Sequence, residues 1–193
     1  MISHSKKLIL ILPPKTGGTS VLHELIQHSL VYEKFQQKHG GFDYYESLSD
    51  KQVKNKAKHK PLCEYEGYIE TYKLYGVARN PYSRIVSWWR FREPNKPFKQ
   101  WLNAFGKSSF QRMTYKDYFQ VPERAVDNII HTENLQTGFD LLCDDVGISR
   151  KQLPHKNKTN HKHYTEYYDI ETKQIVAERF AKDIEYFGYE FGE

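Results

Sequence analysis

The run Leu8 to Ser20, LILILPPKTGGTS, carries an apolar stretch straight into a glycine-rich turn, and helical periodicity follows it. Leu8 to Leu12 is predicted as a strand. It ends at Pro13-Pro14, which cannot continue a ladder, and Gly17-Gly18 let the backbone turn so that successive N–H groups face one anion. Thr19 sits where a helix N-cap belongs, with Val21, Leu22, Leu25, Ile26 and Leu30 at helical spacing behind it. The positive end of that helix dipole then faces the same anion.

This loop differs from a nucleotide-triphosphate loop, G-x-x-x-x-G-K-[ST], because Lys15 precedes the glycine pair and Thr19-Ser20 follow it directly. A group less highly charged than a metal-bound triphosphate suits it better. A plain strand-to-helix turn would account for the glycines but not for Lys15, Thr16, Thr19 and Ser20 crowded around them.

With 193 residues, 38% hydrophobic and 27% charged, the chain is expected to form one domain, residues 1–193, around one α/β core. The formal charge of +5 favours an anionic ligand and does not by itself demand nucleic acid. Cys63 and Cys143 have no paired spacing; a reducing compartment fits, and a single bridge between them is left open. No apolar run approaches the roughly 20 residues of a membrane span, and the Leu8–Leu12 run is too short for a signal segment. A soluble, cytoplasmic protein without stable membrane insertion is expected. The fifteen tyrosines are assigned to amphipathic packing, because no aromatic cluster repeats in the strand pattern of an RNA-binding sheet.

Further along, Ser49 to Lys58 is predicted as a short helix, with Lys51, Lys54, Lys56, Lys58 and Lys60 as a solvated face. Tyr72 to Ala78 is a second strand. Asn80 as N-cap and Pro81 as first residue open a helix to about Phe91, whose Ile85, Val86, Trp88 and Trp89 cover a wide face. Short helices are predicted over Pro97–Phe105 and Leu135–Cys143, a third strand over Asp127–Thr132, a basic loop over 150–163, and a helix over Glu171–Ile184. Alternating strands and helices give an α/β fold: a single P-loop-like domain with a mainly parallel central sheet flanked by helices, and ligands at the carboxyl ends of the strands.

The second strand leads into RNPYSRIVS, residues 79 to 87, which sets Asn80, Arg84 and Ser87 on one helix line behind Arg79. Guanidinium forks with a hydroxyl suit a terminal phosphate. The two motifs together resemble the sulfotransferases that use 3′-phosphoadenosine 5′-phosphosulfate (PAPS), specifically the Golgi-type carbohydrate sulfotransferase branch and its bacterial relatives. The resemblance extends to Glu133-Asn134-Leu135, LPHKNKT at 153 to 159 and AKDIEYFGY at 181 to 189, and is weakest between residues 31 and 72.

The resemblance implies a two-point clamp. Lys15 would follow the bridging and leaving oxygens, with the backbone of Thr16, Gly17, Gly18 and Thr19 and the hydroxyls of Thr19 and Ser20 around the 5′-phosphosulfate. Arg79 and Ser87 would take the 3′-phosphate, and Lys156 and Lys158 would lie in a late basic loop over the nucleotide. It implies PAPS as donor, PAP as product, no metal, and a hydroxyl acceptor that is by family default a glycan. It also places the general base at His59, in the pair Lys58-His59, with Glu64 or Glu66 as alternatives. A P-loop small-molecule kinase is the competing enzyme class, weakened by the displaced lysine; a basic nucleic-acid-binding module using residues 51 to 60 and 150 to 162 is the non-enzymatic one.

Overall fold

The computed structural model describes residues 1–28, 59–106, 111, 113–154 and 162–193. Its central sheet holds β1 (Ile2–Ser3), β2 (Leu8–Ile11), β3 (Lys73–Ala78) and β6 (Asn128–His131) in the order β1-β2-β3-β6. The three predicted strands β2, β3 and β6 are parallel, and β1 adds an antiparallel edge through Ile2 opposite Ile9. In register, Ile11 faces Gly76 and Ala78 faces His131, so the chain leaves all three parallel strands at the same side of the sheet. The mainly parallel α/β architecture expected from the sequence is present.

Side chains alternate across the pleat with a period of two. Leu8, Leu10 and Leu12 join Tyr75, Val77 and Ile130 on one face, under α1 (Gly18–Leu25) and α5 (Leu135–Val146) through Val21, Leu22, Leu25, Phe139, Leu142 and Cys143. Ile9, Ile11, Leu74 and Ala78 pack on the other face against Leu62 and Tyr65 of the 3-10 segment Leu62–Tyr68, against Ile69 just after it, and against α4 (Tyr115–Phe119). Burial on both faces is why β2 reads as an unbroken apolar run. Gly76 is the point of closest approach: a Cβ there would lie 2.7 Å from the Phe119 ring, so only glycine lets α4 seat this low. A small hairpin of β4 (Gln120–Val121) and β5 (Arg124–Ala125) leads back to β6.

A separate aromatic cluster surrounds α2 (Pro81–Arg92), which meets α3 (Phe98–Ala104) and α6 (Ile170–Arg179) through Trp88, Trp89, Phe98, Trp101, Phe105, Val176 and Phe180. Asn80 caps α2 as expected, its Oδ1 accepting from Tyr82 N–H at 3.0 Å with Pro81 in the first turn. The single tail helix predicted over 171–184 is two helices. α6 stops at Arg179, Phe180 is buried at the joint, and α7 runs Ala181–Phe187. Cys63 is exposed, Cys143 is buried, and both are free thiols. The helix predicted over Ser49–Lys58 lies outside the described residues, as does Leu30.

Candidate active site

The glycine-rich loop lies at the carboxyl end of β2. Gly17 has φ +76° and occupies the cap position of α1, so the helix starts at Gly18 and Thr19 lies within its first turn rather than capping it. The reason is local: a glycine in the left-handed region closes the turn through Ser20 N–H to the Gly17 carbonyl at 3.1 Å, and no hydroxyl cap is needed. A Cβ at Gly17 would also come within 3.1 Å of Leu135. Thr16 is buried and its hydroxyl donates to the Pro13 carbonyl at 2.8 Å, which bends the loop back on itself. Lys15 holds φ +67° and its Nζ stands 4.0 Å from the ring centroid of Phe91, a residue 68% exposed at the end of α2.

The segment after β3 meets this loop. Arg79 donates from Nη1 to the Lys15 carbonyl at 3.3 Å and from Nε to Ser83 Oγ at 2.8 Å. Its backbone is clasped by one hydroxyl, Tyr115 OH, which accepts from Arg79 N–H and donates to the Arg79 carbonyl, each at 2.8 Å. Burial pulls the guanidinium below the usual arginine range, against the opposing charge of Glu133, without threatening its protonation. Asn80 is fixed three ways, by its cap, by Glu133 Oε1 accepting its N–H at 2.8 Å, and by its Nδ2 donating to the Glu190 carbonyl at 2.7 Å.

The strand after that supplies the third contact. Thr132, just beyond β6, has its hydroxyl 2.8 Å from the carbonyls of both Thr16 and Ala78, joining the loop after β2 to the end of β3. Thr132, Glu133 and Tyr115 are site residues that neither sequence motif contains. A hydroxyl directly after a strand was a usable signal for Thr132; Tyr115 offered none, since its partner is 36 positions away.

The line of Asn80, Arg84 and Ser87 does not form a common outer face. Asn80 is committed to its cap, and Arg84 is 2% exposed and turned inward, donating from Nε to the Pro14 carbonyl at 3.0 Å. Ser87 is half-buried on α2. Arg79, Ser20 and Lys15 do gather with the loop, and so does His59, although it is far away in sequence. His59 has φ +70° and its Nδ1 lies 2.6 Å from the Leu12 carbonyl. A carbonyl can only accept, so Nδ1 carries a proton and donates it to Leu12. Glu64 and Glu66 are exposed on the 3-10 segment, and Glu64 is engaged by Lys60 at 3.0 Å. Lys156 and Lys158 lie outside the described residues.

Under the site, Tyr115 N–H donates to Asp183 Oδ1 at 2.7 Å, and the Arg84 guanidinium lies 4.8 Å from the Tyr115 ring centroid. Burial pushes the Asp183 carboxyl up to about 6, against the Tyr115 N–H and the Arg84 charge, which favour ionisation. Because the folded value exceeds the unfolded one, the folded state holds the extra proton between the two, and this contribution to stability is lost as pH rises from about 4 to about 6. Comparing wild type with Asp183→Asn by denaturant unfolding, the difference should move towards the variant by about 3 kcal/mol between pH 4 and pH 7. A difference independent of pH would contradict it.

Comparison with known proteins adds one finding. No curated protein and no solved structure gives a significant match. The family model described as Sulfotransferase family matches residues 1–190. The chain therefore belongs to the sulfotransferase family and is a sulfuryl-transferring enzyme.

Proposed function

We propose that residues 1–193 act as one domain that transfers a sulfuryl group from PAPS to a carbohydrate hydroxyl in line and without a metal ion, releasing PAP. The observation that carries this reading is the meeting of the Lys15 loop with Arg79, 64 positions apart, through Nη1 and the Lys15 carbonyl. Two cationic side chains from two strand ends suit a ligand with two anionic ends, as PAPS has.

The residues present fit such a donor. Among the described residues Arg79 forms no ion pair, and its burial is offset by hydrogen bonds to Ser83 and to the loop. A guanidinium held this way favours an arriving anion. In this reading Arg79 and Ser87 hold the 3′-phosphate. The backbone of residues 16 to 19, the hydroxyls of Thr19 and Ser20 and the dipole of α1 hold the 5′ end. Thr16 contributes its N–H alone, since its hydroxyl is used within the loop. Lys156 and Lys158 would cover the nucleotide.

PAPS supplies the sulfuryl group; the chain supplies alignment and charge. Lys15 neutralises the negative charge that grows on the leaving phosphate oxygen, where a fixed cation acts most strongly in the transition state. His59 Nε2 takes the proton of the acceptor hydroxyl. Phe91, exposed beside Lys15, offers the aromatic surface on which a sugar ring packs, and this favours a glycan acceptor. Among the described residues no helix is long and apolar enough to cross a membrane, and a cytoplasmic location is part of the proposal.

Incubation with PAPS carrying labelled sulfate, with glycan, tyrosyl-peptide, lipid and small-alcohol acceptors and with a chelator present, tests the reading. Label should appear on glycans. Label confined to another acceptor class would replace the glycan assignment, and loss of transfer on chelation would end the metal-independent one.

A further inference from the structure

Arg84 is a buried cation that the chemistry above does not use. It is 2% exposed, packed 4.8 Å from the Tyr115 ring centroid and 5.7 Å from that of Trp88. Its Nη1 has no hydrogen-bond partner among the described residues. The facing carboxylate belongs to Asp183, 1% exposed, whose Oδ1 accepts from Tyr115 N–H and whose Oδ2 is likewise without a partner. Burying incompletely matched charges is unfavourable, and a methionine would fill the same volume without that cost. What the guanidinium alone supplies is a directed N–H, and it is aimed at the Pro14 carbonyl.

That carbonyl belongs to the peptide joining Pro14 to Lys15, and Lys15 holds φ +67°, a region that side chains other than glycine rarely adopt. Such a conformation persists only when its surroundings enforce it. We propose that Arg84 is a positioning residue: its Nε–H fixes the Pro14–Lys15 peptide and so keeps Lys15 in its left-handed turn, with Asp183 as the counter-charge. One guanidinium thereby ties the RNPYSR segment to the lysine loop from below, while Arg79 ties them from the ligand side. This also accounts for the tail motif AKDIEYF, whose aspartate reaches the site through Tyr115. The inference rests on the assignment of Lys15 to the reacting oxygens.

Arg84→Lys keeps the charge and most of the stem but not the guanidinium fork. In ligand-free protein, amide exchange at residues 15–18 should quicken while β3 stays protected. In turnover, kcat should fall on the order of tenfold to a hundredfold with the acceptor KM little changed, as expected of a misplaced catalytic group. If Arg84 only packs, the variant will lose thermal stability while loop exchange and kcat per folded molecule stay at wild-type values, and that result overturns the proposal. Should Arg84→Lys fail to fold, Asp183→Asn decides, because asparagine still accepts from Tyr115 N–H: faster loop exchange supports the proposal and unchanged exchange overturns it. Exchange in the free protein needs no donor, so a wild type that fails to bind PAP refutes the donor assignment without bearing on Arg84.

Discussion

Replacing Lys15 with alanine is expected to lower kcat on the order of 10²–10³-fold, with the thermal midpoint nearly unchanged. The magnitude is that of removing one preorganised group that stabilises developing charge. The small effect on stability follows from the setting of the residue. Lys15 is half-buried, its backbone conformation costs alanine about what it costs lysine, and its ammonium rests on the exposed ring of Phe91 at 4.0 Å. Such a contact contributes about 0.5–1 kcal/mol. Lys15→Arg should not restore the rate, because a planar fork cannot follow one oxygen as a compact ammonium does. Steady-state kinetics with saturating donor, alongside PAP binding, make the test. A Lys15→Ala enzyme within tenfold of wild type would show that charge on the leaving oxygen is neutralised elsewhere.

The parts of this site that were legible in the sequence are those written in local signals. Pro13-Pro14 and Gly17-Gly18 punctuate a strand, and Asn80-Pro81 punctuates a helix, so both loops and their place at strand ends followed from residues within a dozen positions. The cap of α1 lies two residues before Thr19 because a left-handed glycine does what a hydroxyl cap would do, and the sequence contains both. The periodicity of the tail hides the break between α6 and α7 because Ile175, Val176, Phe180, Ala181 and Ile184 keep their spacing across the joint. Phe180 turns the chain with φ −114° and ψ 23° and no glycine or proline marks it. The shared helix line of Asn80, Arg84 and Ser87 does not reveal that Arg84 turns inward, because a helix line gives spacing without direction. Its burial depends on Tyr115 and Asp183, which approach from 31 and 99 positions further along the chain. Long-range contacts of this kind leave no trace in periodicity, and they are what join the two motifs into one site.

Removing the imidazole of His59 should abolish turnover and leave PAP binding intact. His59 reaches the loop from outside it, and its Nδ1–H is held 2.6 Å from the carbonyl of Leu12, the residue before Pro13-Pro14. That bond fixes the ring orientation, and in the neutral ring it selects the tautomer with the lone pair on Nε2, the form a general base needs. Loss of a positioned base typically costs 10²–10⁴-fold in rate. His59→Ala alone would be ambiguous, since it also strips the Leu12 carbonyl of a partner in a residue at φ +70°. His59→Asn separates the two roles: asparagine tolerates the left-handed backbone and its amide can donate to a carbonyl, but it cannot accept a proton at neutral pH. Both variants should be inactive while binding PAP as wild type does. Glu64→Gln and Glu66→Gln should remain active, because both carboxylates are exposed and Glu64 is already engaged by Lys60. Full activity in His59→Asn with none in Glu64→Gln or Glu66→Gln would reverse the assignment, moving the base to the glutamate and reducing His59 to a brace for the loop.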